Sequence, residues 1–310
     1  MDKISLVIPC YNEEEALPFM HEALLDISKK MDYVDFEFLL VNNCSEDSTL
    51  SLMKKYHEED KRFRYISFSR NFGKEASMYA GLSNAKGDYV AILDADLQDP
   101  PSLLIDMYKA IKEEGYDCVA AFRKNRKGEP FFRSAFANVF YRMMGKISDS
   151  NVMNGARDFR LMTRQVVDAV ISLEESERFS KGIFGWVGFK TKWLPFENVE
   201  RVAGKTKLPF FSSLMYAFKG IVAFSTVPLA ISSVLGLLCC FGAVVYTVVV
   251  ILRQIIEGGA VSGYPSMMSI LLFGFGFMFL MLGIIGQYLA QIYLEIKNRP
   301  KFIIHEKSDD

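Results

Sequence analysis

The stretch GDYVAILDADLQDPP (residues 87–101) joins a short apolar run to a cluster of aspartates. Its first part, DYVAIL (88–93), is rich in β-branched and aromatic residues and has the length of one strand. Asp94 and Asp96 follow directly, and two prolines close the segment. A strand that ends in paired carboxylates is typical of a sheet whose strand ends carry ligand-binding loops.

Four further runs of the same kind lie on either side of this strand. They are ISLVI (4–8), FEFLLV (36–41), FRYISF (63–68) and DCVAAF (117–122). The stretches between them have the spacing of amphipathic helices, as at Leu103, Met107 and Ile111. This alternation predicts an α/β domain with a parallel, doubly wound sheet and right-handed crossovers.

Polar segments follow three of the predicted strands. They are PCYNE (9–13), NNCS (42–45) and DAD (94–96). Because ligands of such sheets bind beyond the carboxyl ends of the strands, these segments are expected to converge on one cleft. A nicotinamide-dependent oxidoreductase is excluded, since no GxGxxG sequence follows the first strand.

Composition points to a membrane protein with a substantial soluble part. The 310 residues carry a formal net charge of -1, so nucleic acid is not an expected partner. No Asp, Glu, Lys or Arg occurs from Gly220 to Leu252 or from Gly258 to Leu294. Each run exceeds the roughly 20 residues that cross a bilayer core. We expect two spans, at 226–252 and 267–291, after an amphipathic interfacial segment at 205–225.

The distribution of basic residues predicts the orientation of the spans. The loop between them carries Arg253 alone, whereas the flanking segments are rich in Lys and Arg. By the positive-inside rule, both ends and the α/β domain are cytoplasmic. The expected organisation is a cytoplasmic catalytic domain (1–204), the interfacial segment, a two-helix membrane anchor (226–291) and a cytoplasmic tail (292–310), located at the inner (plasma) membrane.

Asp94 and Asp96 indicate metal-dependent chemistry. Burying two carboxylates together is costly unless they share a cation, and Mg²⁺ and Mn²⁺ bind carboxylate and phosphate oxygens. The pair therefore predicts a metal-bridged diphosphate. A plain surface turn is the alternative explanation, but the position at the end of a predicted strand favours the functional one.

Several segments together resemble glycosyltransferase family 2. These segments are VIPCYNEEE (7–15), SRNFGKEAS (69–77), GDYVAILDADLQDPP (87–101), RDFRLM (157–162), RVAGKTKLP (201–209) and IIGQYLAQIYLEIKNRP (284–300). The likeness is greatest to the polyprenyl-phosphate glycosyltransferases with two C-terminal spans. It implies a GT-A fold, which is a Rossmann-like nucleotide-diphospho-sugar transferase domain. It also implies a divalent metal and inverting transfer from a nucleotide-sugar donor to a polyprenyl phosphate.

The resemblance also assigns roles to individual residues. It implies that the nucleotide-sugar is bound by Pro9, Tyr11, Asn12, Glu13, Asn43, Asp94 and Gln98. It implies that Asp94 and Asp96 hold the metal and diphosphate, and that phosphates are bound by Arg160, Arg201 and Lys207. Asp158 matches a position often proposed as the catalytic carboxylate. Because the acceptor is already a phosphate anion with a second pKa of ~6, we expect Asp158 to orient substrate groups, with proton abstraction a weaker possibility.

One segment departs from the family pattern. The family usually has an acidic residue after the second strand, where this chain has Asn42 and Asn43. An asparagine amide can both donate and accept, which suits the edge of uracil and favours a UDP-sugar. A structural role for these asparagines is equally compatible with the sequence.

Two other functions agree with part of the sequence. A processive polysaccharide synthase shares the catalytic domain, but it usually has more spans and a Gln-x-x-Arg-Trp segment that this chain lacks. A catalytically inactive scaffold is motivated by Asn43 and Cys44 and disfavoured by the intact aspartates. By family analogy, the expected partners are further copies of the chain, a flippase and a second glycosyltransferase.

Overall fold

The computed structural model describes residues 1–123, 155–176, 178–197, 227–257 and 263–309. The chain divides into two compact units. The first contains Met1–Gly220 and Arg299–Asp310, and the second contains Ile221–Asn298. The C-terminal residues therefore belong to the same unit as the N-terminal domain.

The first unit is built around a sheet that has eight strands within the described residues. The strands are β1 (Lys3–Cys10), β2 (Asp35–Asn42), β3 (Phe63–Phe68), β4 (Tyr89–Ile92), β5 (Cys118–Arg123), β6 (Ala156–Thr163), β7 (Thr191–Phe196) and β8 (Ile304–Lys307). The helices of this unit are α1 (Leu17–Lys30), α2 (Thr49–Glu59), α3 (Lys74–Asn84), α4 (Leu103–Glu114), α5 (Arg164–Ser172) and α6 (Ser180–Trp186). The spatial order of the strands is β7-β5-β6-β4-β1-β2-β3-β8.

The five predicted strands run in one direction, as expected, but two further strands run the opposite way. Strand β1 is parallel to β2 and β4, and β2 is parallel to β3, as the sequence predicts. Strand β6 lies antiparallel between β4 and β5, so the sheet is mixed and the all-parallel prediction is wrong. The segment that forms β6, ARDFRLMT, carries three charged residues and lacks the apolar run that marks the other strands.

Helix packing fixes the start of α3 against the centre of the sheet. A side chain at Gly81 would collide with Val7 of β1, so only glycine permits this close approach. Helix α1 buries Leu17, Met20 and Leu24 in the core that contains Leu6 and Ile8, on the other face of β1. The contact at Gly81 thus seats α3, which begins at Lys74, closely on β1.

A buried carboxylate lies near the amino-terminal ends of the central strands. Glu37 of β2 is 2% exposed and accepts hydrogen bonds from the Ser5 hydroxyl and the Lys86 N–H, the latter at 2.8 Å. The Arg64 guanidinium forms an ion pair with it at 2.5 Å. Burial raises the pKa of Glu37, but these three donors outweigh it and hold the pKa below its usual value.

The C-terminal segment adds an edge strand to this sheet. Strand β8 pairs antiparallel with β3, and the Ser69 N–H donates to the Ile303 carbonyl at 3.0 Å. The Phe302 ring stacks on Phe68 with centroids 5.2 Å apart. The sequence predicted this region only as a tail, because IHEK has no strand-like apolar pattern.

The second unit consists of two long helices, α7 (Val227–Glu257) and α8 (Tyr264–Lys297). Each contains a segment long and apolar enough to cross a membrane, Leu229–Leu252 with mean hydropathy 2.7 and Ile270–Lys297 with mean hydropathy 2.1. Large apolar side chains such as Leu237 and Phe273 are each 73% exposed, as expected of surfaces that face lipid. The predicted interfacial segment, 205–225, lies outside the described residues.

Candidate active site

The loops after β1 and β2 meet as the sequence predicts. The Asn12 N–H donates to the Ser45 hydroxyl at 3.0 Å, and the Asn12 side-chain oxygen accepts from the Glu46 N–H at 2.8 Å. The Glu13 N–H donates to the Thr49 hydroxyl at 2.9 Å. These bonds fix the segment 9–13 at the carboxyl ends of adjacent parallel strands. The predicted nucleotide-binding residues of this segment, including Pro9 and Tyr11, are half-buried there.

Three loop residues near these strand ends adopt left-handed backbone conformations. The φ angles are 53° at Asn12, 57° at Cys44 and 55° at Leu97, which follow β1, β2 and β4 respectively. Such conformations are uncommon for residues other than glycine and persist only where surrounding contacts impose them. Strained residues concentrate at functional sites, so this edge of the sheet has the character of a binding site.

The acidic centre of the site joins two neighbouring strands. Asp94 follows β4 and Asp158 lies in β6, with side chains 21% and 15% exposed. The Lys74 ammonium lies 2.6 Å from Asp94 Oδ1 and 2.7 Å from Asp158 Oδ2. Asp96 is half-buried, and its Oδ1 accepts the Gln98 N–H at 3.2 Å. The predicted Asp94 and Asp158 therefore share one cation that the sequence did not reveal.

Arg157 is a second site residue that sequence reasoning missed. Its Nε donates to Asp99 Oδ1 at 2.8 Å, and Asp99 is completely buried. Its Nη2 lies 4.0 Å from Asp94 Oδ2 and 3.4 Å from the side-chain oxygen of Gln98. Burial lowers the pKa of Arg157, but Asp99 and Asp94 outweigh it and keep the guanidinium charged. Arg157 thus places positive charge beside the predicted diphosphate ligands.

The charge of Asp158 is set by its cationic neighbours. Burial raises the pKa of this carboxyl, but Lys74, Lys181 and Arg160 outweigh it and hold the pKa well below its usual range. Asp158 is consequently an ionised carboxylate with weak affinity for a proton.

Arg160, predicted to bind phosphate, occupies a different environment. It is 3% exposed, its guanidinium lies 3.7 Å from the centre of the Phe184 ring, and its Nη2 donates to the Arg157 carbonyl. Arg157 has the better position for a phosphate contact, because it lies beside Asp94 and Gln98.

The two asparagines after β2 are engaged in hydrogen bonds with the protein. Asn43 is 4% exposed; its Nδ2 donates to the Asn71 side-chain oxygen and its Oδ1 accepts the Phe72 N–H, at 2.9 and 2.8 Å. Asn42 is 1% exposed and donates to the Ser67 hydroxyl at 2.9 Å. Of the two explanations that the sequence left open, the structure favours the structural one. The nucleotide-binding role of Asn43 stays a prediction.

The oxygen ligands of Asp94, Asp96 and Gln98 suit a hard divalent cation that substrate and water help to bind. Among the described residues, no group of three or more His, Cys, Asp and Glu side chains could hold a metal ion. Asp94 and Asp96 offer carboxylate oxygens, and Gln98 offers an amide oxygen close by. Mg²⁺ and similar ions are commonly held by one or two carboxylates, with substrate phosphates and water completing the shell. Arg201 and Lys207, the remaining predicted phosphate ligands, lie outside the described residues.

Comparison with known proteins identifies the catalytic domain. Residues 5–171 match the family described as glycosyl transferase family 2. The chain belongs to this family. CsbB of Bacillus subtilis (strain 168), which is named as a glycosyltransferase, is 41% identical over 98% of this chain and 91% of its own length. The bactoprenol glucosyl transferase of Shigella phage SfII is 37% identical over 97% of each chain.

Membership of glycosyltransferase family 2 confirms the predicted class of enzyme and its GT-A fold. Among solved structures, mannosyl-3-phosphoglycerate synthase from Rubrobacter xylanophilus is similar, with 18% identity and a TM-score of 0.49 over 72% of this chain and 73% of that protein. The family match covers β1 to β6 and so includes Lys74, Asp94, Asp96 and Asp158.

Proposed function

We propose that this family 2 glycosyltransferase transfers a sugar from a nucleotide-diphosphate sugar to a polyprenyl phosphate. The observation that carries the proposal is the Asp94–Lys74–Asp158 cluster at the carboxyl ends of the parallel central strands, where the antiparallel β6 begins, in a chain with two helices apolar enough to cross a membrane. The name of the phage relative, bactoprenol glucosyl transferase, supports a polyprenyl acceptor and makes a glucosyl donor the first to test.

The reaction needs charge neutralisation more than proton transfer. An oxygen of the acceptor phosphate attacks the anomeric carbon while the bond from that carbon to the diphosphate breaks. The nucleoside diphosphate leaves with the electron pair. Attack from the face opposite the leaving group inverts the anomeric carbon, as the family resemblance implies. Two anions approach each other, so alignment and fixed positive charge supply most of the rate enhancement.

Asp158 is proposed to orient substrate rather than to act as a base. The acceptor phosphate is already ionised near neutral pH, since its second pKa is ~6. Lys74 and Lys181 keep the pKa of Asp158 low despite its burial, which further weakens it as a proton acceptor. Its carboxylate remains suited to accept hydrogen bonds from sugar hydroxyls and to hold the Lys74 ammonium.

Asp94 and Asp96 are proposed to hold Mg²⁺ or Mn²⁺ together with the donor diphosphate. When bound, such an ion supplies Lewis-acid stabilisation of the leaving diphosphate. Arg157 adds positive charge from the other side of Asp94, with its Nη2 4.0 Å from Asp94 Oδ2. The segment 9–13 is proposed to bind the nucleotide, and Arg201 and Lys207 the acceptor phosphate.

The connectivity of the chain supports a cytoplasmic catalytic domain. Residues on both sides of the two candidate spans belong to the first unit, and two crossings return a chain to the side from which it started. The positive-inside bias favours the cytoplasm for this side, which is also where soluble nucleotide-sugars are made available. The inner membrane location follows from the same argument.

The proposal is tested by transfer of radiolabelled sugar into the organic-solvent phase. Membranes containing the protein receive polyprenyl phosphate, Mg²⁺ or Mn²⁺ and, in turn, UDP-glucose, other UDP-sugars and GDP-sugars. We expect label to enter the lipid phase with one donor and to be lost in Asp96→Ala and on chelation. Folded protein that transfers label from no donor would refute the proposal.

A further inference from the structure

Lys74 has a position that the proposed function leaves unexplained. It is the first residue of α3, directly after Gly73, whose φ of 93° favours glycine. Its ammonium lies 2.6 Å from Asp94 and 2.7 Å from Asp158, which come from different strands. The lysine therefore bridges these two carboxylates directly.

The backbone of Lys74 is fixed while its side chain has room to move. Helix α3 lies tightly on β1, where Gly81 leaves no space for a larger residue beside Val7. The Lys74 side chain is nevertheless 45% exposed. A lysine ammonium is a compact charge on a flexible four-carbon stem, so it can change partners without movement of the helix.

Two cations compete for the Asp94 carboxylate. The Lys74 ammonium bonds to Oδ1, and Asp94 is also a proposed ligand of the divalent metal. A divalent cation and an ammonium on one carboxylate repel each other, and this repulsion is strong in a partly desolvated site. Asp158 offers the ammonium an alternative partner at nearly the same distance.

We propose that Lys74 is an exchangeable cation, which alternates with the divalent metal at Asp94. When the metal and donor bind, the ammonium leaves Asp94 and stays with Asp158. It then lies beside the carboxylate that orients substrate and can contact the acceptor phosphate. With a metal on Asp94, Lys74 would thereby offer its positive charge to the second anion of the reaction. The contact between Lys74 and the acceptor phosphate rests on the proposed function. The exchange of cations at Asp94 can be measured without sugar transfer.

The exchange is tested by the affinity of the purified full-length protein for Mn²⁺ alone, measured by electron paramagnetic resonance. Lys74→Met removes the charge and keeps much of the length. Lys74→Arg keeps the charge. Lys192→Met removes a lysine that pairs with Glu114 at 2.6 Å, away from the aspartates, and serves as the matched control. Thermal unfolding establishes that each variant is folded.

We expect Lys74→Met to bind Mn²⁺ about three- to tenfold more tightly than the wild type, since no ammonium then competes with the ion for Asp94. Lys74→Arg and Lys192→Met should bind as the wild type does. Equal or weaker Mn²⁺ binding by folded Lys74→Met, including no measurable binding by either protein, would overturn the exchange. Failure of the wild type to transfer sugar would instead refute the proposed function, and the Mn²⁺ comparison would still decide the exchange.

Discussion

Buried carboxylates have different kinds of partner at the two ends of the central strands. At the amino-terminal end, Glu37 is 2% exposed and is held by Ser5, Lys86 and Arg64. At the carboxyl end, Asp158 is bridged to Asp94 by one lysine whose side chain is 45% exposed.

This difference separates a structural carboxylate from a functional one. Both ends obey the rule that a buried charge needs a partner. Glu37 is held by a short serine hydroxyl, by a backbone N–H and by the guanidinium of Arg64, whose side chain is only 13% exposed. The partner of Asp158 is flexible and accessible. We therefore expect changes at Glu37 to act on stability and changes at Asp158 to act on catalysis.

The largest expected effect is on activity at the carboxyl end. Asp158→Asn keeps the shape and removes the charge that holds Lys74 and orients substrate. We expect the transfer rate to fall by about 10²- to 10³-fold, the range for loss of one fixed electrostatic contact. Steady-state transfer kinetics measure the loss, and the melting temperature should stay within a few degrees of the wild type. A rate within about threefold of the wild type would rule out the assigned role.

The next effect is on stability at the amino-terminal end. Glu37→Gln leaves the Arg64 guanidinium without its counter-charge, and breaking such a pair costs about 3 kcal/mol. Denaturant unfolding in detergent should show this loss in the free energy of unfolding. Lys192→Met, which breaks a more exposed pair, provides the comparison and should cost less than about 1 kcal/mol. Equal losses of unfolding free energy would mean that burial does not make the Glu37–Arg64 pair costlier to break than the Lys192–Glu114 pair.

The stabilising effect of Glu37 should depend on pH in a defined direction. Burial raises its pKa, but the three donors outweigh burial, so the folded protein has the lower pKa. Stability from this group is present above the unfolded pKa and is lost as the pH falls through the folded pKa. The difference in unfolding free energy between the wild type and Glu37→Gln should narrow as the pH is lowered from about 7 to about 3. A constant difference would contradict this assignment.

A smaller effect is expected at the edge strand that neighbours the site. Phe302→Ala removes the ring that stacks on Phe68 at 5.2 Å, and such ring pairs contribute about 1 kcal/mol beyond burial. Unfolding measurements on Phe302→Ala and on Phe19→Ala, whose ring is 49% exposed, separate packing from simple loss of an aromatic residue. Similar losses for the two variants would show that the Phe302–Phe68 stack contributes no packing energy to the sheet.

The central strands and the aspartates of the site could be predicted from the sequence because both are local patterns. An apolar run of strand length followed by DAD identifies β4 and places Asp94 at its end. The antiparallel β6 could not be predicted in the same way, because its pairing with β4 and β5 joins segments far apart in sequence. Lys74 and Arg157 were missed for this reason, since their importance depends on that pairing.

The asparagines after β2 illustrate a second limit. The sequence gives the identity of Asn43, but not where its amide groups point. Its bonds to Asn71 and Phe72 depend on the loop that follows the neighbouring strand β3. Two signals were available for Lys74: it directly follows that strand-end loop, and it lies in SRNFGKEAS (69–77), one of the segments that carry the family resemblance.

The most direct test of the account compares Asp94→Asn with Glu37→Gln in the same reconstituted membranes. Transfer of labelled sugar to polyprenyl phosphate is measured for each variant and normalised to folded protein. The account predicts that Asp94→Asn loses at least about 100-fold in rate, whereas Glu37→Gln stays within about twofold of the wild type. Equal losses in the two variants, or a normal rate for Asp94→Asn, would contradict the assignment of the catalytic centre to the carboxyl ends of the strands.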